Sequence, residues 1–204
     1  MTCGSTMIRR LLDPANAITA AGLALSVIAV HLAARGAVHA AVAVALWALL
    51  ADHLDGVVAA RTPGRAQETA RIGKSLDSLA DLVSAGVLPG VVLLTVAGGA
   101  VWATGVSIAL VIASALRLSY FNTHGLSGNR FTGVPTTYVL PVVAAILLLE
   151  PLLAQGFLAP ILGAALFALA LLHVSALQVP RTSGVMYLAV TLYCAGASVI
   201  LAAR

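Results

Sequence analysis

Four aspartates lie within one stretch of the chain, residues 52–81, which is flanked by almost entirely apolar segments. Asp52 and Asp55 are three residues apart and Asp77 and Asp81 are four apart, so on two helices each pair shares a face. Carboxylates in or at the edge of a bilayer are costly and therefore mark candidate functional sites. Four anions converging across a helix pair would repel one another unless cations bind between them. Divalent ions with oxygen ligands fit that need, above all Mg²⁺, which commonly works with a substrate's phosphates.

Residues with little or no side chain accompany these carboxylates. Gly56 and Ala59 each lie one helical turn after an aspartate of the first pair, and Gly73 lies one turn before Asp77. Small residues let a bulky ligand approach the helix backbone, and they also line helix contacts in membranes. Their register with the acids favours ligand access, and helix packing is the alternative.

The elements that position these residues are predicted to be membrane-spanning helices. The 204 residues are 61% hydrophobic and 9% charged, with a mean hydropathy of +1.05. A soluble domain could not cover itself with so few charges, and a transmembrane β-barrel would show short alternating segments. Seven segments have about the 20 apolar residues that a span requires: 15–34, 37–60, 73–97, 101–121, 135–153, 157–177 and 184–203. The sequence therefore predicts an all-α integral membrane protein, a bundle of six to seven transmembrane helices forming a single domain over residues 1–204.

The distribution of Lys and Arg predicts the orientation of the bundle in the membrane. Threading seven spans leaves only Arg35 and Arg204 on one side. The other side carries Arg9, Arg10, Arg61, Arg65, Arg71, Lys74, Arg117, Arg130 and Arg181. We therefore expect a protein of the cytoplasmic membrane with the carboxylates on its cytoplasmic side. The net charge of +4 does not indicate nucleic-acid binding, because the basic residues are scattered among loops and only 5% of residues are aromatic.

The motif Asp55-Gly56-x-x-Ala59 … Gly73-x-x-x-Asp77-x-x-x-Asp81, with Asp52 three residues ahead, resembles the signature of the CDP-alcohol phosphatidyltransferases. More of the chain resembles one branch of that family, the CDP-diacylglycerol–serine O-phosphatidyltransferases. The residues that carry this second likeness are Asn16 and Thr19 after Pro14, residues 76–84 with Gly86-Val87 and Pro89, residues 115–118, Phe121-Asn122, and residues 131–135.

The resemblance implies an enzyme of phospholipid synthesis. It would transfer the phosphatidyl group of CDP-diacylglycerol to the hydroxyl of a small amino-alcohol, L-serine above all, and release CMP. The resemblance also implies two divalent cations, Mg²⁺ or Mn²⁺, and a homodimer. The implied metal ligands are Asp52, Asp55, Asp77 and Asp81. Asp81 would also be the general base, because it is the last acid of the series Gly73, Asp77 and Asp81 along one helix face and the one nearest the acceptor.

The same resemblance assigns roles to polar and small residues around the acids. Those expected to bind the nucleotide or its phosphates are Asn16, Thr19, Gly56, Ala59, Arg61 and Gly73. Those expected to bind the acceptor or the lipid phosphate are Ser78, Arg117, Asn122 and Arg130. Arginine suits these tasks because its guanidinium binds carboxylate or phosphate with two parallel hydrogen bonds.

Departures from the family pattern keep other acceptors open. Arg61 comes one position later than the family's Ala-Arg dipeptide, which on a helix rotates the side chain by about 100°, and the connection to Gly73 is longer than usual. Ala85 replaces a bulky aromatic residue, and polar residues follow Pro135. Another amino acid, a polyol or a polyol phosphate is therefore the alternative acceptor.

A divalent-cation transporter is the alternative from a different class, since aspartates within a membrane also mark ion pathways. Transporter sites typically lie near the bilayer midplane between interrupted helices. The acids of this chain cluster toward one face instead.

Overall fold

The computed structural model describes residues 13–181 and 184–204. Arg9 and Arg10, counted above among the positive charges of one side, lie outside the described residues. The helices in the described part are α1 (Pro14–Ala34), α2 (Val38–Arg61), α3 (Gln67–Asp81), α4 (Leu88–Val96), α5 (Val101–His124), α6 (Val139–Leu149), α7 (Leu158–His173) and α8 (Gly184–Ala202). Two short strands, β1 (Arg130–Thr132) and β2 (Gln178–Pro180), lie between helices.

Five helical segments are long and apolar enough to cross a membrane: α1, α2, Gln67–Val96, α5 and α8. Two shorter apolar segments, Thr136–Leu152 and Leu158–His173, complete the set. The predicted all-α bundle of six to seven helices is thus confirmed. The third span begins at Gln67 rather than at the predicted residue 73, because its first turns are polar on one side and hydropathy alone does not detect them.

The third span changes its helical geometry immediately after Asp81. α3 ends at Asp81 and continues directly into a π-helical segment, Leu82–Val87, which is followed by α4. Pro89, in the first turn of α4, has no N–H to donate to the preceding turn. Short π-helical segments are frequent at functional sites, where they alter the direction of the side chains that follow.

The helices pack through small and aliphatic side chains. α2 lies between α1 and α8, and α5 packs against α4 and α7. Fully buried leucines form the centre of the core: Leu46, Leu88, Leu93, Leu110, Leu140, Leu147, Leu162 and Leu166. Glycine allows close approach where helices cross, since a Cβ at Gly90 would lie 3.1 Å from the Ser107 Cβ. Large apolar side chains such as Val101 and Leu152 are exposed on the outer surface, which suits contact with lipid.

A small β-clip, residues 130–135 and 177–180, closes one end of the bundle. β1 and β2 are antiparallel, with Phe131 opposite Val179. The clip is fastened to the end of α7, because Val134 N donates to Leu172 O at 3.0 Å and His173 Nδ1 lies 2.8 Å from Val134 O. Gly133 has a φ of 75°, and a Cβ at this position would collide with the His173 carbonyl oxygen, so only glycine fits.

Candidate active site

Carboxylates from α2 and α3 meet at the end of the bundle that carries the β-clip. One oxygen from each of Asp52, Asp55 and Asp77 can be chosen so that all three lie within 4.8 Å of one another. Helix α1 packs against both α2 and α3 and supplies the polar surface behind the acids. Its Thr19 hydroxyl donates a hydrogen bond to the Asp55 carboxylate, which is 8% exposed.

Asp81 lies one turn beyond Asp77 and outside that group of three carboxylates. Its Oδ2 accepts a hydrogen bond from the Thr136 hydroxyl at 3.3 Å, and Thr136 is completely buried. Arg117 of α5 interacts electrostatically with the same carboxylate. Asp81 therefore has a fixed orientation and a cationic neighbour, which sets it apart from the three clustered acids.

None of the four aspartates forms a salt bridge with a basic residue in the described part of the chain. The ion pairs in this part of the chain are Asp13–Arg65 at 2.9 Å and His39–Glu150 at 2.6 Å, and neither includes an aspartate of the cluster. Three close carboxylates without a direct ion pair to Lys or Arg form a set of hard oxygen donors, which suits a divalent cation such as Mg²⁺ or Mn²⁺. The residues present therefore fit the predicted metal ligands.

A cavity of about 210 Å³, the smaller cavity, lies on one side of the carboxylates. Asp55 and Asp77 line it, and so do five of the six residues predicted to bind the nucleotide: Asn16, Thr19, Gly56, Ala59 and Gly73. A Cβ added at Gly56 would meet nothing within 4 Å, so this glycine leaves space open beside the acids. A Cβ at Gly73 would instead collide with the Asn16 side-chain oxygen.

A cavity of about 650 Å³, the larger cavity, lies on the other side. All four aspartates of the motif line it: Asp52, Asp55, Asp77 and Asp81. Arg117 also lines it, 7% exposed, with its guanidinium carbon 5.3 Å from the Phe121 ring and 5.4 Å from the Phe131 ring. The two aromatic rings hold this cation in place by cation–π contact.

The remaining predicted residues do not line the smaller cavity. Arg61 is exposed and lines the larger cavity. Ser78 and Asn122 bond to each other, Asn122 Nδ2 donating to Ser78 Oγ at 2.8 Å, and so tie α3 to α5. Arg130 is exposed on β1 and does not line either cavity.

Sequence reasoning missed several residues that line these cavities. Arg65 lines the smaller cavity, and Arg181 and Tyr187 line the larger one. Thr136 contacts Asp81 from a segment 55 positions away. The polar residues after Pro135 were the only sequence signal for Thr136, and no local pattern marks the other three.

Comparison with known proteins supports the likeness in the motif. A family model described as CDP-alcohol phosphatidyltransferase matches residues 12–177. The chain is 33% identical over 159 residues to the archaetidylserine synthase of Methanothermobacter thermautotrophicus (strain Delta H). That alignment covers 77% of this chain and 65% of the relative, so the chain spans just under two thirds of the relative's length. With most of its length matched and the acid motif assembled between two cavities, the chain belongs to the CDP-alcohol phosphatidyltransferase family.

Proposed function

We propose that this protein is a membrane phosphatidyltransferase acting as one domain, which transfers the phosphatidyl group of CDP-diacylglycerol to the hydroxyl of L-serine and releases CMP. The observation that carries the proposal is the group of Asp52, Asp55 and Asp77, whose carboxylates come together beside two cavities and form no salt bridge with a described basic residue. This combination suits phosphoryl transfer from a CDP-linked lipid, because cations held by these acids would offset the charge of a pyrophosphate bound beside them.

Asp52, Asp55 and Asp77 would hold divalent cations, either Mg²⁺ or Mn²⁺, with Asp81 as a further ligand or as the base. When bound, two such ions would offset the charge of the pyrophosphate and stabilise the attacking and leaving oxygens. Thr19 keeps Asp55 oriented through its hydrogen bond.

The two cavities suggest which side each substrate occupies. The smaller cavity suits the nucleotide, since Asn16, Thr19 and Lys74 supply polar groups and Gly56 leaves room. The larger cavity suits the acceptor and the lipid phosphate, since Asp81 and Arg117 face it. Val57, an exposed apolar residue of α2, also lines this cavity.

Asp81 is the residue best placed to accept the acceptor's proton. The acceptor's hydroxyl oxygen forms a bond to the lipid-side phosphorus, and the bond from that phosphorus to the oxygen of CMP breaks. CMP leaves with the electron pair, and the hydroxyl proton passes to a carboxylate oxygen of Asp81. Thr136 supports this role, because its hydroxyl donates a hydrogen bond to Asp81 Oδ2 and so orients the carboxylate.

Two observations support serine as the acceptor. The relative described above is named for a serine-containing product. Arg117, fixed between two aromatic rings beside Asp81, offers a guanidinium suited to a carboxylate. A phosphorylated polyol is the second candidate, because Arg61 and Arg181 line the same cavity and would add two further cations.

The proposal extends to location and assembly. The acid cluster would face the cytoplasm, where CDP-lipids and serine are available, with the helices crossing the cytoplasmic membrane. A homodimer stays a prediction from the family resemblance.

The test is CMP release by the detergent-purified protein with CDP-diacylglycerol, Mg²⁺ or Mn²⁺, and one acceptor per well: serine, other amino-alcohols, polyols or polyol phosphates. Parallel wells contain a CDP-lipid with isoprenoid chains. We expect serine to stimulate release and a chelator to abolish it. Asp81→Asn should lower the rate by about 100-fold or more, whereas Glu68→Gln, an exposed carboxylate on the same helix, should not.

Other outcomes would revise or reject the proposal. Stimulation by a polyol phosphate alone would keep the chemistry and replace the acceptor. Absence of CMP release with every acceptor, together with divalent-cation flux into liposomes, would reject the enzyme in favour of a transporter.

A further inference from the structure

The smaller cavity contains an arginine that the family motif does not include. Arg65 belongs to the connection between α2 and α3, and its side chain, 16% exposed, turns back toward the start of α1. Its Nη2 lies 2.9 Å from Asp13 Oδ2 and donates to Asn16 Oδ1 at 2.7 Å. Both partners belong to the N-terminal turn of α1, where the Asp13 carboxylate also caps the helix.

This arginine shares its cavity with two of the clustered carboxylates. Arg65 lines the smaller cavity together with Asp55, Asp77 and Lys74, and it interacts electrostatically with Asp55. Its buried Nε has no hydrogen-bond partner within residues 13–181 and 184–204. A buried N–H without a partner is costly, and an anion bound beside the guanidinium would offset part of that cost.

Gly73 makes this arrangement possible. A Cβ at position 73 would lie 2.7 Å from Arg65 Nη2 and would collide with the Asn16 side-chain oxygen. The absence of a side chain on α3 thus lets the guanidinium and the amide rest against the helix backbone. Gly73 therefore leaves room for the side chains of Arg65 and Asn16. It affects a ligand in the cavity only through these two side chains.

Arg61 cannot take the same position. It lies at the end of α2, one residue later than the family pattern, and its exposed side chain lines the larger cavity. The rotation of about 100° per residue directs it away from the smaller cavity. The longer connection between α2 and α3 instead brings Arg65 back to that cavity.

We propose that Arg65, held by Asp13 and Asn16 against Gly73, is the arginine that binds the phosphate of the nucleotide in the smaller cavity, and that Arg61 does not. The inference rests on the proposed function, since it takes the ligand to be a cytidine nucleotide. Asp13 is then a positioning residue, which orients the guanidinium toward the ligand.

The experiment measures binding of CDP to the detergent-purified full chain by isothermal titration calorimetry in the presence of Mg²⁺, with cytidine as a second probe measured by competition. Arg65→Gln should weaken CDP binding by about tenfold or more, the loss expected for a charge-assisted hydrogen bond. Arg65→Lys should retain part of the affinity. Arg61→Gln should change CDP affinity by less than about threefold, and so should the control Arg71→Gln, an exposed arginine that lines neither cavity.

Cytidine distinguishes phosphate binding from a structural role. If Arg65 binds phosphate, Arg65→Gln weakens binding of CDP and leaves the affinity for cytidine unchanged. Equal loss of CDP and cytidine binding, or a loss with Arg61→Gln and none with Arg65→Gln, would overturn the inference. Failure of the unmodified chain to bind CDP would reject the proposed function itself.

Discussion

At the scale of single residues, the central feature is the repulsion within the acid cluster. Ionised carboxylates separated by 4.8 Å or less repel one another by at least about 3 kcal/mol per pair, at an effective dielectric constant of about 20. Thr19 donates one hydrogen bond to Asp55, which offsets only part of this cost. A divalent cation would convert the repulsion into attraction, so these side chains should bind metal even without substrate.

Replacing Asp77 with Asn should therefore weaken metal binding. The change removes one negative oxygen donor while keeping the shape of the side chain, and we expect the affinity for Mn²⁺ to fall at least about tenfold. Electron paramagnetic resonance of unbound Mn²⁺ measures this without any turnover. Glu68→Gln is the matched control, and it should leave Mn²⁺ binding unchanged. Equal Mn²⁺ affinity in Asp77→Asn and the unmodified chain would contradict a metal site at this cluster.

The spacing of the acids was sufficient to predict that Asp52, Asp55 and Asp77 share one site. Helical periodicity fixes the face on which each pair lies, and repulsion requires a common cation. Arg65 and Thr136 could not be predicted in the same way. Each reaches the site from a connecting segment whose path depends on tertiary packing, and no periodicity relates its position to that of the acids.

At the scale of elements, the β-clip determines the shape of the larger cavity. Phe131 on β1 contacts the Arg117 guanidinium, and Pro135 at the end of this part of the clip and Thr137 two residues later also line the cavity. The clip is held at the end of α7 by backbone hydrogen bonds and by His173. The position of Arg117 relative to Asp81 therefore depends on a contact made by two distant parts of the chain.

Gly133→Ala should disrupt that contact. The left-handed backbone at φ 75° and the overlap of the new Cβ with the His173 carbonyl should together cost about 2 kcal/mol or more. Thermal unfolding in detergent should then show a melting temperature lower by about 4–8 °C. Gly105→Ala, in α5 with open space around the new Cβ, should leave the melting temperature unchanged or raise it. A Gly133→Ala variant as stable as Gly105→Ala would contradict the inference that close packing at Gly133 holds the β-clip against the end of α7.

Hydropathy was enough to locate the spans, because a helix that crosses the lipid bilayer requires a run of about 20 apolar residues. It could not detect the first turns of α3, whose polar residues lie at the end of a span. It also could not detect the clip. Each strand has only three residues, too few for an alternating pattern, and their pairing joins residues 130–132 to 178–180.

At the scale of the whole molecule, charge is distributed unequally between the two ends. The end with the acid cluster also carries Arg61, Arg65, Arg71, Lys74, Arg117, Arg130 and Arg181. At the opposite end, Arg204 donates to the Leu147 carbonyl oxygen and His39 pairs with Glu150. Positive residues remain preferentially on the cytoplasmic side during insertion. The site should therefore open to the cytoplasm.

Cysteine labelling tests this orientation. In a Cys3→Ser, Cys194→Ala background, a membrane-impermeant maleimide applied to intact cells should label Gln155→Cys, in the turn between α6 and α7. It should label Ser127→Cys, between α5 and β1, only after permeabilisation. Both positions are exposed in the fold, so accessibility within the protein does not distinguish them. Labelling of Ser127→Cys alone in intact cells would reverse the orientation.

The most direct test of the central claim is the fate of the acceptor's hydroxyl oxygen. The purified protein would be given CDP-diacylglycerol, Mg²⁺ and serine carrying ¹⁸O in its hydroxyl group, and the lipid and CMP would be analysed by mass spectrometry. We expect ¹⁸O in the phosphodiester of a serine-containing lipid and none in CMP, with the product formed at least about 100-fold more slowly by Asp81→Asn. Phosphatidic acid without ¹⁸O, formed whether or not serine is present, would show attack by water and contradict the account.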